Sequence, residues 1–156
     1  MKRHSPTAGL ALAVLAILGL AGPAAAGEQV PFKGSLEGTV TRSLPPPPIS
    51  VLVEADGNAT QLGRFTVEIP HLVVPPNGAG FYHFVAANGD TLTAEFTGVS
   101  APAAPGFLYI VETATITGGT GRFAGATGSF VCERLYDIAA GTTIGYFDGT
   151  ISRPGP

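Results

Sequence analysis

Apolar and polar residues alternate over short segments in the chain after residue 26, and turn-forming residues separate these segments. Val, Ile, Thr, Phe and Tyr dominate them, as is typical of β-strands. No window in this region carries an uninterrupted apolar pattern at i, i+3, i+4 and i+7, which argues against amphipathic helices. The pattern predicts eight strands, at residues 32–43, 49–55, 60–74, 80–88, 91–98, 107–117, 128–138 and 142–152.

Short turn signals connect most of these segments. Asp-Gly-Asn at 56–58 and Asn-Gly-Asp at 88–90 predict hairpin turns, and further turns are expected at 75–78 and 139–142. The proline run at 45–48 predicts a stiff surface connector, and residues 101–105 predict a loop outside the sheet, because proline lacks the N–H that a ladder needs. Consecutive strands are therefore expected to pair antiparallel.

Eight antiparallel strands with little helix must bury an apolar face and protect two sheet edges. Closure into a barrel does both, and an eight-stranded barrel has an interior for side chains or one small ligand. A two-sheet sandwich is the alternative. Residues 107–116 are apolar on both faces, which predicts that the N-terminal segment or another subunit covers part of the outer surface.

The first 26 residues have the composition of a secretory signal peptide. Lys2 and Arg3 precede an apolar run at 10–20, and alanines at 24–26 fit a cleavage site. The run is shorter than the ~20 residues that span a bilayer. We therefore expect export, cleavage before Gly27, and a single soluble domain over 27–156 without a membrane span.

Charge and cysteine content narrow the partner classes. Without Lys2 and Arg3 the basic residues fall from 8 to 6 while all 11 acidic residues remain, giving a net charge of about −5. No basic cluster is present, which argues against nucleic acid as a partner. Cys132 is the only cysteine, so an intrachain disulfide is excluded, and burial explains a free thiol more simply than reactivity does.

A glycine-rich segment at 115–130 links the sixth and seventh predicted strands. Its glycines favour positive φ and close backbone approach, and Phe123 is expected to cap the barrel end. A dinucleotide fingerprint would require a following helix, and a P-loop would require Gly-Lys-Ser/Thr, so neither phosphate-binding interpretation fits. The residues assigned to the bend are Gly118, Gly119, Gly121, Phe123, Gly125 and Gly128.

The segment GGTGRFAGATGSF at 118–130 resembles the Gly-Gly-Thr-Gly-x-Phe-x-Gly-x-x-Gly pattern of allene oxide cyclase and dirigent barrels. LGRFT at 62–66, AANGDTLTAEFTG at 86–98 and FDGTIS at 147–152 extend the resemblance, which is to secreted bacterial relatives of these proteins. It implies an eight-stranded antiparallel barrel, often trimeric in the plant relatives. It also implies a lumen that binds a small hydrophobic compound and steers its cyclisation or coupling.

The bend also predicts which side chains face inward. A hairpin centred on Phe123 would place Glu112 opposite Arg134, and the next hairpin would place Tyr146 opposite Arg134. A one-residue shift in either hairpin would turn a strand's predicted inner residues outward. The predicted lumen residues, which are also the candidate ligand-binding residues, are Glu112, Arg134, Tyr136, Tyr146 and Asp148.

Two interpretations of the charged pair remain open. Glu112 and Arg134 can form a structural ion pair that fixes register, since buried charges require partners. Alternatively, the pair and the tyrosines line a pocket that binds an apolar ligand or moves a proton on it. His71 shares a phase with apolar residues, as core histidines do, whereas His83 could face either way. No metal-ligand spacing, cofactor motif or hydrolase motif is present, so catalysis, as opposed to binding or a structural role, stays undecided.

Overall fold

The computed structural model describes residues 27–155, and the predicted signal peptide lies outside them. These described residues form eight strands and one short 3-10 helix. The strands are β1 (Gln29–Arg42), β2 (Ile49–Ala59), β3 (Gly63–Val74), β4 (Asn77–Ala86), β5 (Thr91–Ala104), β6 (Phe107–Gly119), β7 (Gly128–Asp137) and β8 (Thr142–Ser152), with the 3-10 helix at Gly121–Phe123 between β6 and β7.

The strands form a closed antiparallel barrel in which every strand pairs with its neighbours in sequence. Closure comes from β1 and β8, whose pairing places Phe32 opposite Gly149 and Leu36 opposite Gly145. The predicted all-β barrel is thus confirmed, and the two-sheet sandwich is wrong. Closure removes the unpaired edges that an open sheet of this size would expose.

Two predicted connections are parts of strands. Gly57 lies inside β2, opposite Leu36 of β1 and Phe65 of β3, and the turn falls at residues 60–62 instead. Pro102 lies in β5 and is paired with Leu108 of β6. The pairing of β4 with β5 ends at Val99, so Pro102 has only one neighbouring strand and its missing N–H costs no ladder bond.

Aromatic rings fill one half of the barrel. Phe32, Phe84, Phe130 and Phe147 are buried, with ring centroids 5.0 Å apart for Phe32 and Phe147 and 5.4 Å apart for Phe130 and Phe147. Phe65 joins the cluster 5.2 Å from Phe84, in an edge-to-face arrangement. Such pairs add to the stabilisation from burying the rings, so this half of the barrel is a packed core.

The glycine-rich segment closes the same end of the barrel, as the sequence predicted. Phe123 is fully buried at the end of the 3-10 helix. Arg122 donates from its backbone N–H to Asp90 Oδ2 at 3.3 Å and from Nη2 to the Leu62 carbonyl at 3.2 Å, which ties the segment to two neighbouring turns. At Gly121 φ is +56°, which favours glycine, and an added Cβ would lie 1.9 Å from Asp90 Oδ1, so a larger residue would displace the Asp90 side chain.

The outer surface carries several exposed apolar side chains. At least half of the residue surface is exposed at Leu72, Val74, Phe81, Val99, Ile144 and Tyr146. Coverage of this surface by a second subunit or by the N-terminal segment stays a prediction. Within residues 27–155, no helix has the length and apolar character needed to cross a membrane.

Candidate functional site

The end of the barrel opposite the glycine-rich segment contains a cavity of about 470 Å³. It lies among the last residues of β1, β3, β5 and β7 and the first residues of β2, β4 and β6. Its wall is mostly apolar, with Val51, Val53, Val73, Phe96, Leu108 and Ile110 among the lining residues. Its polar lining residues include His71, Glu112, Arg134 and Tyr136, with Arg42 and Ser100 nearer the ends of their strands.

Glu112 and Arg134 form a buried ion pair, as predicted, although the register differs from the predicted one. Glu112 lies opposite Cys132, and Arg134 lies opposite Ile110, so the β6–β7 pairing is shifted by two residues. A shift by two leaves every side chain on its predicted face. The two charged residues are therefore diagonal neighbours, and their long side chains still meet inside the barrel.

Each oxygen of the Glu112 carboxylate accepts a hydrogen bond from Arg134. Arg134 Nε donates to Oε2 at 3.0 Å, and Nη2 donates to Oε1. The Tyr82 hydroxyl, on β4, donates to Oε2 as well. Both charged side chains are about 1% exposed, so this bidentate pair with its tyrosine meets the condition under which a buried carboxylate is tolerated.

A glycine on an adjacent strand provides the space for each of the two buried charged side chains. Gly98 of β5 lies opposite Glu112, and a Cβ there would lie 2.8 Å from Glu112 Cγ. Gly145 of β8 lies opposite Arg134, and its Cβ would lie 2.6 Å from Arg134 Cγ. Gly80 of β4, opposite His71, differs, because a Cβ there would lie 2.3 Å from the Pro70 carbonyl oxygen and 2.4 Å from His71 Cβ, so this glycine accommodates the close approach of the β3 backbone.

The surroundings of the pair favour defined protonation states. Burial raises the pKa of Tyr82 well above its usual value, and the Glu112 carboxylate raises it further, so the hydroxyl remains a neutral donor. Burial alone would lower the pKa of Arg134, but Glu112 outweighs this effect and the net pKa is raised. Burial also raises the pKa of Cys132 to about 12. The predicted buried, unreactive thiol is thereby supported.

The prediction that Tyr146 and Asp148 line the lumen is wrong. The β7–β8 pairing is shifted by one residue, so Gly145 and Phe147 face inward instead. Tyr146 is 70% exposed, and Asp148 pairs on the outer surface with Lys33 at 2.8 Å. Tyr136 does line the cavity, as predicted.

The turn between β7 and β8 explains this odd shift. Asp137 Oδ1 accepts hydrogen bonds from the backbone N–H groups of Ala139 and Ala140, at 3.0 and 2.9 Å. The Gly141 N–H donates to the Asp137 carbonyl at 2.9 Å, and Gly141 has a φ of +67°. The connection therefore has four residues instead of three, which reverses the facing of every residue on β8.

His71 lies on the cavity wall, with its ring centroid 5.5 Å from that of Phe96. Its Nδ1 is 2.9 Å from the Ile69 carbonyl oxygen, and burial lowers its pKa. His83 faces outward and is exposed. Within residues 27–155, no group of three or more His, Cys, Asp or Glu side chains is arranged to hold a metal ion.

Sequence reasoning did not select Tyr82, although a signal was present. Tyr82, Phe84 and Ala86 alternate with polar or exposed neighbours and all three are buried, so the strand pattern placed Tyr82 inward. The inward glycines also carried a signal, since a Gly in the interior of a predicted strand marks close approach by another group. Predicting which side chain each glycine accommodates would have required the strand register.

The site and fold together define a closed eight-stranded antiparallel barrel with a half-filled lumen and an apolar pocket that has a charged floor. Its architecture is that of the dirigent and allene oxide cyclase-like barrels. The pterocarpan synthase dirigent protein GePTS1 aligns over 85% of this chain and 94% of its own, with a TM-score of 0.63 and 13% identity. The pterocarpan synthase dirigent protein PsPTS1 aligns over 83% and 97%, with a TM-score of 0.60 and 11% identity. No protein-family model and no curated protein sequence matches the chain.

Proposed function

We propose that the protein binds a small, mainly hydrophobic molecule in the open half of the barrel. The cavity of about 470 Å³ carries this proposal, because it lies within the roughly 300–1,000 Å³ typical of small-molecule sites. An apolar wall with a few inward polar groups is also typical of such sites. The alternative of a structural extracellular protein with a filled barrel does not explain why the packing of aromatic rings stops halfway along the lumen.

The proposal is tested by filling the cavity from one strand. Ile110 lines the cavity on β6, whereas Thr113 on the same strand faces outward and is exposed. We expect Ile110→Trp to weaken binding of a neutral aromatic probe, 2-methoxynaphthalene, by about tenfold or more, which corresponds to about 1.4 kcal/mol. Thr113→Trp should leave binding unchanged. Equal affinities for the wild-type protein and Ile110→Trp, measured by NMR titration, would contradict a site in the lumen.

The natural ligand can be sought directly. Protein purified from its native host without detergent would be denatured, and the released compounds would be identified by mass spectrometry. A compound recovered with the wild-type protein and with Thr113→Trp, but not with Ile110→Trp, would be the occupant of the lumen. Recovery from all three proteins would indicate binding elsewhere.

An isomerase or cyclase of the dirigent or allene oxide cyclase type is the second candidate. The observation that favours it is the ion pair on the cavity wall, which puts a carboxylate and a guanidinium beside any bound molecule. In an isomerisation Glu112 would take a proton from one atom of the ligand and return it to another, and Arg134 would stabilise negative charge. The overall reaction would then need no cofactor.

Incubation with the extracted ligand distinguishes the two candidates. A catalyst would convert it to a product of the same mass and a different retention time, and Glu112→Gln would abolish conversion while retaining binding. With a binding protein, the ligand would be recovered unchanged at every protein concentration. If Glu112→Gln and Arg134→Met both fold and change neither the binding affinity nor the conversion, the charged pair is not part of the ligand site.

We also propose that the protein is exported and forms homo-oligomers. The first 26 residues support export, and the exposed apolar outer side chains support association between copies. The resemblance to dirigent barrels suggests a trimer. N-terminal sequencing of protein secreted by the native host and light scattering of the purified protein test the two proposals, which fail if the leader is retained or the protein is monomeric.

A further inference from the structure

The charges at the inner end of the cavity are already compensated. Both oxygens of Glu112 accept hydrogen bonds from Arg134, and Tyr82 donates to one of them. An anionic ligand would meet a guanidinium whose charge is balanced, and a cationic ligand would meet an equally balanced carboxylate. Arg42 is the remaining cation on the lining, and it is exposed at the end of β1. The inner cavity therefore favours a neutral molecule.

His71 differs from the ion pair because, among the described residues, only one of its two ring nitrogens has a hydrogen-bond partner. The Ile69 carbonyl oxygen can only accept, so the contact of 2.9 Å places the ring proton on Nδ1. In the neutral ring Nε2 is then an acceptor with a free lone pair. Among residues 27–155, no donor reaches Nε2.

The ring is held in a fixed position. Phe96 packs edge-on against the ring, with the two ring centroids 5.5 Å apart. The Nδ1 hydrogen bond fixes the tautomer as well as the orientation. A positioned acceptor on an otherwise apolar wall is how such pockets select a ligand's polar group.

We infer that His71 determines ligand specificity by accepting, at Nε2, a hydrogen bond from a hydroxyl group on a neutral, otherwise apolar molecule. This inference rests on the proposed binding function and specifies the class of ligand. The hydroxyl is the complement of a lone acceptor, and a ligand lacking it would leave Nε2 buried without a partner. Loss of that bond would reduce affinity without removing binding.

A matched pair of probes tests the inference. 2-Naphthol carries the hydroxyl donor, and 2-methoxynaphthalene has the same ring system without a donor. We expect the ratio of the affinity for 2-naphthol to that for 2-methoxynaphthalene to be roughly threefold to tenfold higher in the wild-type protein than in His71→Phe. The reason is that only the wild-type protein forms one neutral hydrogen bond with the hydroxyl group. His71→Gln, which restores an acceptor, should regain part of the preference. 2-Naphthoate should bind more weakly than 2-naphthol to the wild-type protein.

Each outcome has a separate meaning. If both probes bind, and His71→Phe keeps the wild-type preference, Nε2 is not the acceptor and the inference fails while the binding function stands. If neither probe binds, the proposed function fails and the inference fails with it. Chemical shift changes confined to the lumen residues, together with wild-type unfolding temperatures for both His71 variants, would show that the affinities report on the site.

Discussion

The two ends of the barrel use the same eight strands but differ in how their interiors are filled. At the closed end five phenylalanine rings and Phe123 occupy the lumen, and the glycine-rich segment covers it. At the open end most of the inward residues are smaller aliphatic side chains, alongside Phe96, His71 and Tyr136, and a cavity of about 470 Å³ remains. The Tyr82, Glu112 and Arg134 network lies between the two. Stability is therefore expected to reside at one end and ligand chemistry at the other.

Removing a ring from the closed end should have the largest effect. Phe84 is fully buried and contacts the rings of Phe32, Phe65, Phe130 and Phe147. We expect Phe84→Ala to lower the free energy of unfolding by about 3–5 kcal/mol. Ile110→Ala at the cavity wall should cost only about 1 kcal/mol, because part of its side chain already faces open space. Denaturant titration of both variants checks the difference, and equal losses would contradict it.

Breaking the ion pair should follow in size. Arg134→Met leaves Glu112 buried and without its cation, and we expect a loss of about 3 kcal/mol or more. The double variant Glu112→Gln/Arg134→Met should lose clearly less than the sum of the two single variants, because neither charge is left unpaired. Urea unfolding of all four proteins completes the cycle. Additive losses would mean that the two charges do not interact.

The exposed pair Lys33 and Asp148 supplies the control for this cycle. Both side chains are more than half exposed, with Nζ and Oδ2 at 2.8 Å. Solvent screens such a pair, so Lys33→Met and Asp148→Asn should show no measurable coupling. A coupling equal to that of the buried pair would indicate that the method, and not burial, produces the effect.

The inward glycines provide a finer test. Gly145→Ala places a Cβ 2.6 Å from Arg134 Cγ, and we expect it to lower the free energy of unfolding by about 1–3 kcal/mol through overpacking. Gly78 also lines the cavity, but its nearest neighbour would be 3.5 Å away, so Gly78→Ala should be tolerated. Thermal unfolding of the two variants compares them directly. Equal destabilisation would show that steric room for Arg134 is not what Gly145 provides.

The smallest effect is expected from the titration of His71. Burial lowers its pKa from the usual 6.5, so between pH 6.5 and the lower folded value the unfolded chain binds more protons than the folded one. Stability contributed by the neutral ring is thus present above pH 6.5 and declines as the pH falls through that window. Wild type should lose more stability than His71→Phe between pH 7.5 and pH 5 in denaturant titrations. Identical pH dependence in the two proteins would contradict the assignment.

The sequence predicted the barrel because strand periodicity and turn residues are local signals. Alternation identified all eight strands, and the glycine-rich segment was recognised as a bend. The proline at 102 and the glycine at 57 were misread for one reason. Their effect depends on whether a neighbouring strand lies beside them, which is a property of the sheet and not of the local sequence.

The candidate site was predictable only as far as register was. The even error in the β6–β7 hairpin left Glu112 and Arg134 inside, whereas the odd error in the β7–β8 hairpin misplaced Tyr146 and Asp148. The odd error came from the Asp137 side chain, which lengthens the turn through its hydrogen bonds to the backbone. Assigning Tyr82 and His71 to the site required knowing which strands lie across the lumen from Glu112. No local sequence pattern gives that arrangement.

The glycines opposite Glu112 and Arg134 imply that each charged side chain of the lumen depends on residues at two positions on different strands. We expect a related barrel in which one of these side chains is shorter to carry a larger residue at the partner glycine, because that residue would fill the void. Gly98 and Gly145 should therefore co-vary with Glu112 and Arg134 across evolution. Such paired changes would mark where the pocket has been converted to core, and retained glycines would mark lineages that keep the same ligand chemistry.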